Sequence, residues 1–439
     1  MKNIIRATNS PKHHLFGFHD IVAFNQSGEK LLSLEADVIN RPPLPAEQFG
    51  VGYSNWQSQE YVNLGYTNAM NYPQGARQQW LDNDKFIVNN QVGNGWGADI
   101  YDVSCQKKLG SIESTCHCVT SDSKYAFGIN YSRLHRLGGY GYIGLDDKTV
   151  SDAIPTNDGI FITEIATNQT KLLVSIAQVA ACEKSSSVDN GSHHYVTHLV
   201  LNPSNKRLAF LHRVFLPDGG LRTRLMTVGT NGEELRCMAS GFLSHFDWKD
   251  DDAIFIWGRT GGGVDALRSN PLFSNPLVAP ILGVAKGIMR KIMKKSSAMS
   301  MSFMLITDDE SRSLSKIDTN IIEQDGHPMF CPTDRNLIIN DTYPKSDGCR
   351  TLFFYEFDKN IRQDIGEFRM IDTQPDITLF DQYTNGVDPL ILSYMSQSLF
   401  SFTRSGLHCD LHPRWNCDGS MVAFDSIHEG TRQIYIAQR

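Results

Sequence analysis

The sequence predicts an all-β fold, a seven-bladed β-propeller closed by pairing of its N- and C-terminal strands. Three observations point there: a hairpin pattern written seven times, almost no long amphipathic helical pattern, and an unpartnered strand pattern at each chain end. The clearest copy is His412-Pro-Arg-Trp-Asn-Cys-Asp-Gly-Ser-Met-Val-Ala-Phe424, which reads as short strand, tight Asp-Gly turn, apolar strand.

Taken in chain order, Asn3–Ala7 is a strand with no hairpin partner of its own. The first copy has Ile21 in the leading slot, with His19 one pleat earlier and Phe24-Asn-Gln-Ser-Gly28 after it. Arg77 leads the second, through Trp80 and Phe86-Ile-Val88. Histidine leads the other five: His117, His198, His245, His327 and His412. Ser27-Gly28, Ser204-Asn205, Thr333-Asp334 and Asp418-Gly419 supply turn residues that tolerate positive φ. Thr351–Phe357 and Arg432–Ala437 read as third strands, and the last has no fourth after it. Repeats of about 40–50 residues with four strands each mark a propeller. Pairing the two chain ends would remove the exposed edges of an open array.

A closed propeller makes 439 residues one domain, 1–439, with an insertion at 262–300. Within it 275–295 reads as a basic amphipathic helix, with Ile288, Met289, Ile292 and Met293 on one side and Lys286, Arg290, Lys291, Lys294 and Lys295 around the rest. Such a helix can make peripheral contact with an anionic membrane or simply pack over a blade. Net charge −7 and pI near 6.1 give no electrostatic case for nucleic acid. Nine cysteines without metal or disulfide spacing, and an N-terminus without a secretory apolar run, lead to an expectation of a cytoplasmic protein with reduced thiols, a monomer or weak oligomer.

In a propeller the first strand of each blade lines the central channel, so a fixed slot on that strand recurs as a ring. Five of fourteen histidines and Arg77 hold that slot. A structural role, the imidazole bonding a neighbouring blade, competes with a functional one. Asn130–Tyr142, carrying Arg133, His135 and three glycines, reads either as a loop approaching a ligand or as an ordinary connection. His327, Asp410 and His412 come from the sixth and seventh copies. Asp410 and His412 are two apart on an expected strand and so face the same way, an N/N/O set suited to a divalent ion (Mn, Zn or Ca). Nothing indicates an organic cofactor.

The repeats resemble TolB-like propeller grammar, and Asp325-Gly-His-Pro328 with Asp410-Leu-His-Pro-Arg-Trp415 is similar to oligogalacturonate lyase and other seven-bladed propeller polysaccharide lyases. The resemblance implies a metal role for His412, with Asp410 where that family has another ligand. It also implies β-elimination on an anionic, uronate-containing glycan. That reaction needs a cation to offset the carboxylate beside the C5 proton, a neutral base, and a proton donor for the leaving oxygen. By repeat position His198 or His117 is the base, Tyr195 the acid, and Arg213 with Arg77 the carboxylate partners. Arg77, Arg133, His135 and His245 would line the substrate pocket. No Gly-x-Ser-x-Gly elbow is present, which argues against a peptidase. The alternative is a non-catalytic propeller for glycan binding or assembly in surface-polysaccharide metabolism.

Overall fold

The structure, a computed structural model, describes residues 3–182, 192–215, 221–260, 301–317 and 320–439. The insertion expected at 262–300, with its helix at 275–295, lies outside the described residues. Among those residues the chain forms six antiparallel sheets, five of four strands and one of seven. It divides into two compact units: Met1–Lys148, Ile160–Leu172 and Gly326–Arg439 in one, and Thr149–Gly159 with Leu173–Asp325 in the other.

In the first unit the chain ends share a sheet, as expected. Ile4–Arg6 pairs antiparallel with Gln433–Gln438, matching Ile4 to Ala437 and Arg6 to Tyr435, and Met421–Ser426 and Arg414–Trp415 complete the sheet. Three further sheets run in strict sequence order. Their first strands are His13–Leu15, Gln79–Trp80 and Met329–Cys331. A fifth begins at Cys118–Val119, and its last strand, Gln169–Ser175, carries the chain into the second unit. The seven-stranded sheet of the second unit holds two copies of the repeat. Its long strand Arg236–Trp248 pairs with Leu221–Gly229 up to Gly241, then with Ala253–Thr260 from Gly241 onward, ending one four-strand run and starting the next.

The repeated residues separate into two structural devices. An asparagine ahead of the turn holds it shut. The Oδ1 atoms of Asn25, Asn202 and Asn416 each accept two backbone N–H bonds from the start of the following strand, at 2.9–3.0 Å. Asp82 and Asp250 do the same in their copies. A tryptophan three residues past the slot fastens its copy to the preceding one. Trp80 Nε1 donates to Ala23 O (2.8 Å), Trp248 to Val200 O (3.0 Å) and Trp415 to Met329 O (3.2 Å). Gly28, Asn205 and Gly419 take φ of +73°, +58° and +72° at the predicted turns, whereas Thr333-Asp334 needs no positive φ. Apolar residues between these anchors build the core, with Trp415 stacked on Phe354 among Leu337, Phe424 and Tyr435.

The helices found among the described residues were not expected from the sequence. Tyr131–Gly138 is an α-helix capped by Asn130, so this part of the stretch read as either a ligand loop or an ordinary connection is helical and wholly buried. Phe380–Tyr383, Pro389–Ser393 and Gln397–Arg404 form a helical insertion ahead of the last copy, each too short to leave a long amphipathic signature. All nine cysteines are free thiols, and among the described residues no helix is long and apolar enough to cross a membrane.

Candidate functional site: a histidine–aspartate triad

His327 and His412 stand just ahead of the first strands Met329–Cys331 and Arg414–Trp415 of the sixth and seventh copies. With Asp410 they offer one ligand atom each, all within 4.8 Å of one another, and all three residues are buried. The two imidazole rings meet edge to face, 4.4 Å apart. The reason for the convergence differs from the expected one. Residues 409–413 lie outside any strand and His412 has φ +44°, so a left-handed turn brings Asp410 and His412 together, not a strand pleat. Arg77 and His198 hold the same slot with φ of +56° and +58°. A strained backbone at a non-glycine residue is a feature often found at functional sites.

The Nδ1 atoms of both histidines are already committed. His327 Nδ1 faces both carboxylate oxygens of Asp341, at 2.8 and 3.0 Å, and its backbone N–H donates to the same group at 2.8 Å. His412 Nδ1 donates to Gly17 O at 2.7 Å. A histidine that gives its Nδ1 proton to a carboxylate or carbonyl keeps the Nε2 lone pair for a metal, the usual outer support of metal-binding imidazoles. Asp341 also accepts from Leu411 N at 3.2 Å, tying the Asp410 segment to His327.

Asp410 uses its two oxygens differently. Oδ1 lies 2.7 Å from Arg350 Nη1 and 3.6 Å from His408 Nε2, while Oδ2 faces His412 Nε2 at 3.9 Å. Burial raises the Asp410 carboxyl, but His408, Arg350 and the other imidazoles more than reverse this and hold it ionised, well below the usual carboxylate range. Burial, reinforced by His327, pushes His412 well below the ordinary histidine value, so its imidazole is held neutral. His408 is lowered to about 4, mainly by burial. The ring of His19 lies 5.9 Å from His327 and 6.2 Å from His412.

A second cluster in the same unit centres on the second and third copies. Arg77 is fully buried and binds Asp20 through both Nη atoms, at 2.7 and 2.6 Å, while its Nε bonds His117 O at 3.1 Å. The expected carboxylate partner for a substrate therefore spends its charge within the protein. His117 Nδ1 is 2.8 Å from Tyr131 OH, and its Nε2, 3.8 Å from Asp20, makes no hydrogen bond. Burial, then Arg77, holds it well below the ordinary value and neutral. Arg133 lies 3.9 Å from Asp147, and His135 Nε2 bonds Asn385 O at 2.8 Å. Both sit on the buried helix and contact other parts of the protein.

In the second unit, His198 and His245 place their rings 6.2 Å apart. His198 Nδ1 is 3.0 Å from Thr197 Oγ1, and His245 Nδ1 is 3.2 Å from Asp325. Tyr195 is buried with its ring stacked on Phe215. Arg213, opposite it across the strand pair, has a buried Nε without a hydrogen-bond partner. The strand also carries a pair absent from the sequence reading. Arg224 Nε donates to His212 Nδ1 (3.1 Å), which leaves the His212 Nε2 proton to bond His194 Nδ1 at 2.9 Å.

Asp341, Arg350 and His408 were missed in the sequence. Asp341 had a findable signal. Met329 pairs with Ile339, and extending that register two residues sets 327 opposite 341. Arg350 and His408 follow no repeat position, so no pattern marks them.

No protein-family model matches the sequence, and no curated protein sequence matches it. Solved structures do. The chain is similar to the oligogalacturonate lyase of Vibrio parahaemolyticus, with TM-score 0.56 and 13% identity over 100% of this chain and 93% of that one. It is similar to the tricorn protease at TM-score 0.50 and 10% identity, over 98% of this chain and 34% of that one. This chain is a β-propeller. An oligogalacturonate lyase in complex with manganese also aligns, at TM-score 0.43 and 12% identity over 100% and 93% of the two chains. At such identities the likeness speaks to the fold alone, since lyase and protease share it.

Proposed function

We propose that the chain is a polysaccharide lyase that cleaves a uronate-containing glycan by β-elimination, with one divalent ion at His327, Asp410 and His412. The observation that carries this reading is the convergence of those three ligand atoms within 4.8 Å, with both Nδ1 atoms turned to supporting acceptors. Two imidazoles and one carboxylate suit Mn or Zn better than Ca, which prefers oxygen ligands throughout. The named neighbour supports the substrate class by analogy of fold only.

When bound, the ion would supply positive charge beside the uronate carboxylate, making the C5 proton removable. The protein's own residues supply the rest. Asp341 and Gly17 O hold the Nδ1 protons of the two imidazoles and fix how the rings are turned. His117 is the base proposed within the same unit. If its Nδ1 proton is given to Tyr131 OH, its Nε2 lone pair is available, and burial keeps it neutral at neutral pH. The test is to strip the protein with chelator, add Mn or Zn, and follow unsaturated-uronate absorbance on oligogalacturonate and other uronate glycans. Product formation that needs the ion and is lost in His412→Ala supports the reading. No product on any glycan, with every metal, overturns it.

A second reading is favoured by one observation: Arg77, His117, Arg133 and His135 are all buried and engaged with other protein groups. A propeller that binds glycan without cleaving it would need no free base. Glycan binding without product in the same assay would establish that role.

A further inference from the structure

Beside the triad lies a cation whose hydrogen-bonding capacity is largely unspent. Arg350, in the strand Cys349–Glu356, is 1% exposed. A guanidinium carries five N–H donors. Among the described residues its close polar contact is Asp410 Oδ1 at 2.7 Å, and none of Nε, Nη1 and Nη2 makes a hydrogen bond. The Tyr343 ring, 5.7 Å from the guanidinium carbon, covers one side of it. An unmet buried donor costs about 1–3 kcal/mol, and more when charged. Such a side chain is retained where something else completes it.

The charges that touch the triad indicate what that is. Asp410 and Asp341 are negative; Arg350 and Arg414, which bonds the carbonyls of His327 and Pro328, are positive. These four cancel. A divalent ion would leave the buried cluster with net positive charge, and the group that best offsets it is an anion that can accept from a planar fork.

We propose that Arg350, with His408 and Tyr343 beside it, forms a carboxylate-binding subsite next to the triad, which takes the carboxylate of a sugar acid. The choice of a sugar acid rests on the proposed function; the anion site itself rests on Arg350. The carboxylate lies in the guanidinium plane, accepting the donors that Asp410 leaves unused. Asp410 stays tied through Oδ1, with Oδ2 turned to the imidazoles.

The test is calorimetric titration of the metal-stripped protein, then the Mn-loaded protein, with galacturonate, and with galactose as the neutral control. Galacturonate is expected to bind the native protein, galactose not. Arg350→Gln should weaken galacturonate binding at least tenfold, and Arg350→Lys, which keeps the charge without the fork, should weaken it less. Equal binding of galacturonate and galactose, equal binding to native and Arg350→Gln protein, or no galacturonate binding in either metal state would overturn the subsite. Should Arg350→Gln fail to fold, Arg350→Lys decides: unchanged affinity overturns the proposal and a loss supports it. A variant that loses Mn but keeps galacturonate affinity shows a positioning role only and also overturns it. Galacturonate binding in a protein that makes no unsaturated product leaves the subsite standing while the lyase reading fails.

Discussion

Replacing Asp341 by Asn isolates the support of the proposed metal site without touching a proposed ligand. The carboxylate accepts three N–H bonds in a fully buried setting: His327 N at 2.8 Å, His327 Nδ1 at 2.8 Å and Leu411 N at 3.2 Å. An amide offers one acceptor oxygen, and its NH2 must then face one of these donors. If it faces Nδ1, the imidazole proton moves to Nε2 and occupies the lone pair a metal would use. Hydrogen bonds to a charged group are worth about 1.5–3 kcal/mol and an orphaned buried donor costs about 1–3 kcal/mol, so a net loss of about 2–4 kcal/mol of stability is expected. Lost outer-shell support typically weakens metal binding about 10–100-fold. The assay is Mn titration of stripped protein followed by electron paramagnetic resonance, with urea denaturation on the same samples. Native-like Mn affinity in Asp341→Asn would refute the reasoning, because the tautomer of His327 would then not depend on Asp341.

Three further outcomes are expected. Gly419→Ala places a side chain at φ +72° with its Cβ 2.6 Å from Cys331 Sγ, and should lower stability by about 1–2 kcal/mol or more, read as a lower urea midpoint at unchanged m. Trp248→Phe removes the donor to Val200 O and should cost about 1–3 kcal/mol, read as a lower urea midpoint. His14 is 3% exposed and is lowered to about 4, chiefly by burial. Its folded value lies below the ordinary 6.5, so its contribution is present above pH 6.5 and is lost as pH falls toward 4. The shift is worth up to about 3 kcal/mol at one unit per about 1.4 kcal/mol. His14→Gln should flatten the fall of stability across that window, and an unchanged pH slope would remove His14 from the account.

The architecture was legible because its signals are local. Asp418-Gly419, the tryptophans and the strand patterns at the two ends each act through the backbone they sit on, and periodicity records that. The slot was legible as a position but not as one role. Arg77 and His412 share the slot and a left-handed φ, yet one bonds an aspartate and a carbonyl, while the other leaves a nitrogen toward Asp410. Partners from other copies decide the difference, and a repeat does not encode them. Arg133 and His135 looked like ligand-binding residues because glycine and basic residues cluster there, but an eight-residue helix carries too few turns to show its period. Arg350 was invisible for the opposite reason, being an ordinary strand residue until Asp410 is set beside it.

The pairing of Ile4–Arg6 with the last strand has a consequence for how the protein is made. During synthesis that segment must wait, without its partner, until the chain has been extended past Ala437. Bringing ends some 430 residues apart together costs about 5 kcal/mol in loop entropy, by the logarithmic rule for flexible chains, unless intervening sheets have already folded and shortened the search. The order of assembly is thereby constrained: the sheets between come first, and the sheet that joins the earliest and latest residues comes last. Until then Gln433–Gln438 has an open edge, the moment at which a second nascent chain could take the place of the first.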